Sequence, residues 1–261
     1  MDALIIYDFD GVVADSEVLA NAVLAEFVTA LGVPTSLQDS YRLYMGKRFV
    51  DVIDAVAESL GRPVPETFAS DYQTRTLARF RENLKLVEGV RRYIDTFEHV
   101  PRCIASSSSP DRLALCLEVV GLQSHFGACV FSASNVTRGK PHPDIFVYAA
   151  EQMGVPPSNC VVLEDSPSGV QAAIAADMTV IGILAASHIQ PDHSERLRAA
   201  GAHYISHTFV EAEHLTRKWL AKMQDEADCH VVVAGTATGR QCDLVRPHSR
   251  SIVPLLSSPF R

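Results

Sequence analysis

The sequence lacks long hydrophobic runs, an excess of basic residues and paired cysteine motifs. Although 47% of its residues are hydrophobic, no apolar run approaches the roughly 18 residues that a bilayer-spanning helix needs. Its 31 acidic residues outnumber its 23 basic residues, which gives a formal net charge of −8. Proteins that bind nucleic acids hold phosphates with clustered lysine and arginine. We therefore expect neither a membrane protein nor a nucleic-acid-binding protein.

The six cysteines and the first residues of the chain bear on its location. The cysteines form no CxxC pair and have no histidine partners at zinc-site spacing. The opening MDALIIYDFD has no basic segment and contains acids within ten residues, unlike a signal peptide. These features favour a cytoplasmic protein with reduced thiols.

Short β-rich segments alternate with helical segments along most of the chain. The predicted strands cover residues 3–7, 102–105, 129–132, 160–163 and 179–183. The helices predicted between the later strands cover residues 110–120, 143–153 and 169–176. This alternation predicts an α/β fold whose parallel sheet is covered by helices on both faces. Ligands bind outside the carboxyl ends of such strands, so residues directly after each strand are candidate site residues.

Residues 15–85 interrupt this alternation with helical patterns only. Ser16 is the expected N-cap of the first helix, and further helical patterns cover residues 49–60 and 67–81. We interpret the block 15–85 as a small helical domain inserted after the first strand.

The core domain would then comprise residues 1–14 and 86–224. Residues 225–261 show little periodicity, and we interpret them as a C-terminal extension, either poorly ordered or an appended pair of strands.

Two pairs of acids follow predicted strands. Asp8 and Asp10 come after the strand in IIYDFDG, and Glu164 and Asp165 end the strand in VVLEDSPSG. Clustered carboxylates are unfavourable unless a cation or a proton lies between them. A hard divalent cation suits them, with one carboxylate free to act as a nucleophile and another as an acid or base. The alternative is that both segments are solvated polar turns.

Hydroxyl groups and one lysine follow two further strands. In CIASSSSPDR, Ser106 and Ser107 lie where a phosphate oxygen would meet hydroxyl and backbone donors, whereas Ser108 and Ser109 are interpreted as a helix cap. In TRGKPHPD, Lys140 lies on a turn stiffened by two prolines and is suited to hold a phosphoryl oxygen. An ordinary surface lysine is the alternative.

The order of these motifs resembles that of the phosphatases of the haloacid dehalogenase superfamily across about residues 3–220. DFDGVVADSE resembles the first motif of that family, Ser106 the second, Lys140 in GKPHPD the third and EDSPSG the fourth. The resemblance implies a Rossmann-like parallel sheet with an inserted α-helical cap domain, which corresponds to residues 15–85. Within the superfamily, the sequence is most similar to the branch that contains β-phosphoglucomutase and 6-phosphogluconate phosphatase.

The resemblance also implies catalytic roles. Asp8 would be the nucleophile and Asp10 the general acid and base, while Ser106, Ser107 and Lys140 would bind phosphate. The expected reaction is hydrolysis of a phosphate monoester of a small metabolite through an aspartyl-phosphate. We expect a monomer or a weak dimer.

A magnesium ion is implied as the cofactor. Its ligands would be Asp8, the backbone carbonyl of Asp10, Glu164 and Asp165, in part through water.

Within the cap, the segment YMGKRFVDV bears on the choice between phosphatase and mutase. Mutases of this branch have an arginine three residues after the glycine, where this chain has Phe49. Lys47 and Arg48 lie beside it and are candidate substrate ligands, so a β-phosphoglucomutase-type activity stays the alternative.

Two other protein classes fit the sequence less well. A phospho-acceptor receiver domain has its lysine after all of its acids, whereas Lys140 precedes Glu164 and Asp165. A dehalogenase needs no acid such as Asp10, because a halide leaves without a proton.

Overall fold

A parallel sheet forms the centre of the protein. The computed structural model describes residues 3–45 and 49–236, with side chains described up to residue 225. The sheet has six strands in the order β3-β2-β1-β4-β5-β6, and all five strand pairs are parallel. The strands are β1 (Leu4–Tyr7), β2 (Arg102–Ser106), β3 (Val130–Ser132), β4 (Cys160–Glu164), β5 (Thr179–Ile183) and β6 (Tyr204–Ser206). The predicted α/β fold with a Rossmann-like sheet is confirmed.

The helices account for most of the other described residues. They are α1 (Glu17–Ala30), α2 (Leu37–Leu43), α3 (Phe49–Leu60), α4 (Phe68–Asn83), α5 (Val90–Thr96), α6 (Pro110–Val119), α7 (Gln123–Phe126), α8 (Asp144–Met153), α9 (Pro167–Ala175), α10 (His193–Ala199) and α11 (Phe209–Thr236). Ser109 is the N-cap of α6, as predicted, and its hydroxyl accepts a hydrogen bond from the Arg112 amide.

The central strands are continuous apolar runs because helices cover both faces of the sheet. Every residue of β1 and β4 is buried. Side chains alternate between the faces, so Ile5 and Tyr7 join one hydrophobic core while Leu4 and Ile6 join the other. Helices α5, α6 and α11 contribute to the first core, and α8, α9 and α10 contribute to the second.

Helices α1 to α4 lie between β1 and β2 and have a hydrophobic cluster of their own. That cluster includes Leu24, Val28, Val56 and Phe68. The chain leaves and re-enters the core by two adjacent segments, where the Asp15 amide donates to the Lys85 carbonyl at 2.9 Å. These observations agree with the predicted inserted domain at 15–85, but the division into independent domains stays a prediction.

The strand order reverses between β1 and β4. From β1 the chain builds the sheet outwards through β2 and β3, and then returns to the other side of β1 with β4. In open α/β sheets, the loops at such a switch point diverge and leave a crevice at the carboxyl ends of the strands. The residues that follow β1 and β4 therefore lie at the position where a ligand site is expected.

Several elements were not predicted from the sequence. Strand β6 has three residues, one of them exposed, so it offers no apolar run to detect. Helix α2 has seven residues and is fixed locally by a capping box between Ser36 and Asp39.

Helix α11 continues to Thr236, so residues 225–236 are helical rather than irregular or extended as predicted. A helix that has already formed gains one hydrogen bond for each further residue. Residues 237–261 lie outside the described residues. None of the described helices is long and apolar enough to cross a membrane, and the cysteines at positions 103, 116, 129 and 160 are free.

Candidate active site

Three buried carboxylates and one lysine meet at the carboxyl ends of β1 and β4. Asp8 follows β1, Glu164 ends β4 and Asp165 follows it. Suitable carboxylate oxygens of these three residues all lie within 4.8 Å of one another. The Lys140 Nζ donates to Asp8 Oδ1 at 2.7 Å and to Glu164 Oε1 at 2.6 Å. The structure thus brings together four of the residues that the sequence singled out.

The charges in this cluster do not balance. Burial raises the pKa of Asp8, the neighbouring Lys140 charge lowers it, and the charges of Glu164 and Asp165 raise it again. The net result is a pKa well above the ordinary value of an aspartate. One ammonium group among three carboxylates leaves an excess of negative charge, which a further cation would relieve.

The carboxylate cluster suits a divalent metal ion. Its donors are hard oxygens, the ligands that Mg²⁺ prefers, and they are buried and converge on one point. The residues present therefore fit the predicted metal, with Asp8, Glu164 and Asp165 as the side chains that would hold it. The Asp10 carboxylate is not part of the cluster, and its backbone carbonyl as a ligand stays a prediction.

Asp10 is held by three donors instead. Its Oδ1 accepts from the Ser16 hydroxyl and from Arg112 Nη2 at 2.6 Å, and its Oδ2 accepts from the Ser108 hydroxyl at 2.6 Å. Burial raises the pKa of Asp10, but the Arg112 charge and these hydrogen bonds outweigh burial, so the pKa lies below its ordinary value. Asp10 is therefore ionised at neutral pH.

The four serines at the end of β2 differ in burial and in hydrogen bonding, and the role of Ser106 and Ser107 in binding phosphate stays a prediction. Ser106 is buried, and its Oγ accepts the Ser108 amide at 3.1 Å, whereas Ser107 is exposed. The interpretation of Ser108 as a helix cap is wrong, because Ser109 takes that position and the Ser108 hydroxyl reaches Asp10. Ser16 stands at the N-cap position of α1 but makes no side-chain cap hydrogen bond, since its hydroxyl also donates to Asp10.

Two buried histidines contact Asp165, His188 from the loop after β5 and His193 from the start of α10. His188 Nε2 lies 3.1 Å from Asp165 Oδ2, and His193 Nε2 contacts the Asp165 backbone carbonyl. Burial lowers the pKa of His188, but the hydrogen bond to Asp165 and nearby acidic charges outweigh burial and raise it. The His188 contact orients the Asp165 carboxylate, which belongs to the cluster, and the His193 contact holds the backbone of the same residue.

A glycine makes room for the Glu164 carboxylate. Gly169 lies in α9 where a β-carbon would come within 1.6 Å of Glu164 Oε1. Elsewhere in a helix, alanine is more favourable than glycine by about 1 kcal/mol.

At this position, Gly169→Ala is expected to lower the free energy of unfolding by about 1–3 kcal/mol, because the methyl group displaces a buried carboxylate. Urea unfolding measures this change. Gln171→Ala, at an exposed position of the same helix, controls for helix propensity. An unfolding free energy at or above the wild-type value would show that the Glu164 side chain moves without cost.

Of the three cap residues discussed from the sequence, Phe49 is among the described residues. Lys47 and Arg48 lie outside the described residues, so their role as substrate ligands stays a prediction. Phe49 begins α3 and stacks on Tyr72 with ring centroids 5.1 Å apart. Its ring therefore belongs to an aromatic cluster of the cap.

Sequence reasoning missed Arg112, His188 and His193. His188 lies in the loop that follows β5 and His193 begins α10, so neither directly follows a strand and the rule that selects such residues does not find them. Arg112 lies in the first turn of a helix and reaches a residue 102 positions away in the chain, and no local pattern indicates such a pairing.

Comparisons with known proteins agree with the fold. Residues 5–183 match the family described as haloacid dehalogenase-like hydrolase. The 6-phosphogluconate phosphatase of Escherichia coli strain K12 is 25% identical over 222 residues, which are 85% of this chain and 96% of that protein. A haloacid dehalogenase-like protein of unknown function from Agrobacterium tumefaciens is 33% identical in sequence, with a TM-score of 0.77 over 84% of this chain and all of that one.

A putative β-phosphoglucomutase from Thermotoga maritima is also similar, at 26% identity and a TM-score of 0.68 over 83% of this chain and 99% of that one. The predicted superfamily and branch are therefore confirmed, as is the enzyme class, a phosphoric monoester hydrolase. The chain belongs to the haloacid dehalogenase-like hydrolase family.

Proposed function

We propose that the protein is a magnesium-dependent phosphatase of small phosphorylated sugars or sugar acids that works through an aspartyl-phosphate intermediate. The observation that carries this proposal is the Lys140 ammonium group, which bridges Asp8 and Glu164 in a buried acidic cluster at the switch point of the sheet. A phosphoryl group that enters this crevice meets a nucleophilic carboxylate and a fixed cation together.

In the first step, a carboxylate oxygen of Asp8 attacks the phosphorus and the bond to the ester oxygen breaks. Asp10 gives a proton to the leaving oxygen, so that an alcohol departs rather than an alkoxide. In the second step, Asp10 takes a proton from water, the water oxygen attacks the phosphorus, and the bond between phosphorus and the Asp8 oxygen breaks. This step releases inorganic phosphate and regenerates the Asp8 carboxylate.

The charge on the transferring oxygens is neutralised by groups already in position. Lys140 supplies a positive charge, and Ser106 and Ser107 would supply hydroxyl and backbone donors. A bound Mg²⁺, held by Asp8, Glu164 and Asp165, would act as a Lewis acid toward a phosphoryl oxygen.

The ionised form of Asp10 is the form that the second step needs. The first step needs a proton on Asp10, and the arrival of a phosphate dianion nearby favours that proton, because like charge raises the pKa of a carboxylate. The same residue can thereby serve as acid and then as base.

The substrate class rests on the relatives. One is named for 6-phosphogluconate, others for hexitol phosphates and for fructose 1-phosphate. The cap would cover the crevice and contact the leaving group, with Lys47 and Arg48 as proposed ligands. A cytoplasmic location and a monomer or weak dimer also stay predictions.

Release of inorganic phosphate from a panel of sugar phosphates and sugar-acid phosphates tests this function. With Mg²⁺ the expected result is steady release, and with a chelator the rate should fall by about a hundredfold or more, since the acidic cluster then repels the phosphate. Added Mg²⁺ should restore the rate. Equal rates with and without the chelator would contradict the metal requirement.

The same assay separates phosphatase from mutase. Glucose 1-phosphate with a bisphosphate primer should yield phosphate rather than glucose 6-phosphate, because Phe49 offers no charge to a second phosphate group. Isomerisation faster than phosphate release would replace the phosphatase proposal by the mutase alternative.

A further inference from the structure

Arg112 joins the candidate acid and base, Asp10, to the cap. It is the third residue of α6, and its Nη2 donates to Asp10 Oδ1 at 2.6 Å. The side chains of Arg112 and Asp10 are only 23% and 15% exposed. The contact is therefore a largely buried ion pair within the proposed site.

The guanidinium group is fixed by an aromatic ring as well as by Asp10. Its central carbon lies 4.9 Å from the centroid of Phe80, a residue of the cap helix α4 that is fully buried. A guanidinium over the face of a ring is held by attraction to the ring's quadrupole. The plane of Arg112, and with it the direction of its hydrogen bond to Asp10, is thereby set.

The other two donors to Asp10 are hydroxyl groups, which rotate freely about their C–O bonds. Ser16 and Ser108 satisfy lone pairs of the carboxylate, but neither carries a charge. Arg112 is the donor whose geometry is fixed and whose charge holds the carboxylate in place. Among the described residues, the Arg112 Nε has no hydrogen-bond partner, so this side chain is committed to Asp10 rather than to a network of its own.

We propose that Arg112 is a positioning residue that holds the Asp10 carboxylate in the orientation needed to protonate the leaving group. This inference rests on the proposed phosphatase function. Removal of Arg112 would leave Asp10 present but misaligned, and a misplacement of about 1 Å costs on the order of a hundredfold in rate.

If Arg112 had a purely structural role, the expected effect of its loss on hydrolysis would be different. If Arg112 only neutralised a buried carboxylate and packed on Phe80, its loss would slow the hydrolysis of every phosphate ester alike. A positioning role acts through proton donation, so it depends on how much the leaving group needs a proton. Nitrophenolate leaves readily without one, whereas the alkoxide of a simple alkyl phosphate does not.

The test compares Arg112→Met with the wild type on p-nitrophenyl phosphate and on β-glycerophosphate. The readout is kcat/KM, which reports cleavage of the ester bond and not the shared hydrolysis of the aspartyl-phosphate. We expect a loss of about a hundredfold with β-glycerophosphate and less than about fivefold with p-nitrophenyl phosphate. Arg112→Lys should lose less with β-glycerophosphate, because it keeps the charge.

Arg79→Met is the matched control. Arg79 lies in α4 and pairs with Glu26 at 3.0 Å. Like Arg112→Met, Arg79→Met removes an arginine ion pair, but one that does not involve Asp10. It should leave the ratio of the two kcat/KM values unchanged. If Arg112→Met fails to fold, as judged by circular dichroism, Arg112→Gln carries the same test.

A double-mutant cycle with Asp10→Asn completes the design. Because Arg112 acts through Asp10, Arg112→Met should cause little further loss with β-glycerophosphate when Asp10 is already asparagine. Equal losses with both esters, no loss with either, or full additivity in the cycle would overturn the inference. A wild-type enzyme that hydrolyses neither ester nor any sugar phosphate would instead overturn the proposed function.

Discussion

Replacement of Asp8 by asparagine is expected to lower turnover by about 10⁴-fold or more, as the loss of a nucleophile does in other enzymes with covalent intermediates. The amide has nearly the same shape as the carboxylate but cannot attack phosphorus. Initial rates of phosphate release with a sugar phosphate measure this loss. Acid quenching of the wild-type enzyme during turnover should trap a phosphorylated protein, and the variant should trap none.

The same variant is not expected to be less stable. Burial and the charges of Glu164 and Asp165 raise the pKa of Asp8 in the folded protein. A carboxylate whose pKa is raised by folding destabilises the folded state at pH values above its ordinary pKa. A neutral amide removes this unfavourable charge, so without divalent cations the variant should unfold at or above the wild-type temperature.

Glu118→Gln is the matched control, since Glu118 is an exposed acid on α6. It should keep wild-type turnover. Residual activity above about 1% in Asp8→Asn, with a folded protein, would mean that another group attacks the phosphorus.

The part of the site at strand ends could be predicted because its residues directly follow short apolar strands. Asp8, Glu164 and Asp165 occupy adjacent positions at the edge of the sheet once β1 and β4 pair. Parallel pairing brings the carboxyl ends of such strands together whatever the loops do. Knowledge of the strands was therefore sufficient to predict the carboxylate cluster.

Residues that reach the site from helices could not be predicted in this way. The contact of Arg112 with Asp10 depends on how α6 packs against β3 and α4, which is tertiary information. Ser108 is a second example. The same local sequence allows its hydroxyl group either to cap α6 or to donate to an active-site residue. Only the packed structure decides between Ser108 and Ser109 as the cap.

Loss of the Lys140 charge is expected to have the second large effect, on stability as well as on activity. Its side chain is 5% exposed, and Nζ lies 4.8 Å from the Phe146 ring centroid in addition to its two carboxylate contacts. Burial lowers the pKa of Lys140, but the charges of Asp8 and Glu164 outweigh burial and raise it. Lys140 is therefore charged, and it is the cation that compensates the acidic cluster.

Lys140→Met keeps the aliphatic part of the side chain and removes the charge. Without divalent cations, its free energy of unfolding should fall by about 3–5 kcal/mol, the usual cost of leaving buried charges without a partner. Its phosphatase rate should fall by about 10²–10³-fold, because a fixed cation no longer faces the transferring oxygens. Lys218→Met, at an exposed position of α11, should change neither quantity.

Two further measurements would show that the lost stability comes from uncompensated carboxylates. Mg²⁺ should raise the unfolding temperature of Lys140→Met more than that of the wild type, since the ion replaces the missing charge. Lowering the pH from about 8 to about 5 should narrow the stability gap between the two proteins, because Asp8, whose pKa is raised in the folded state, takes up a proton there before it does in the unfolded chain. A gap that neither Mg²⁺ nor acid narrows would mean that Lys140 stabilises the fold by packing on Phe146 and not by its charge.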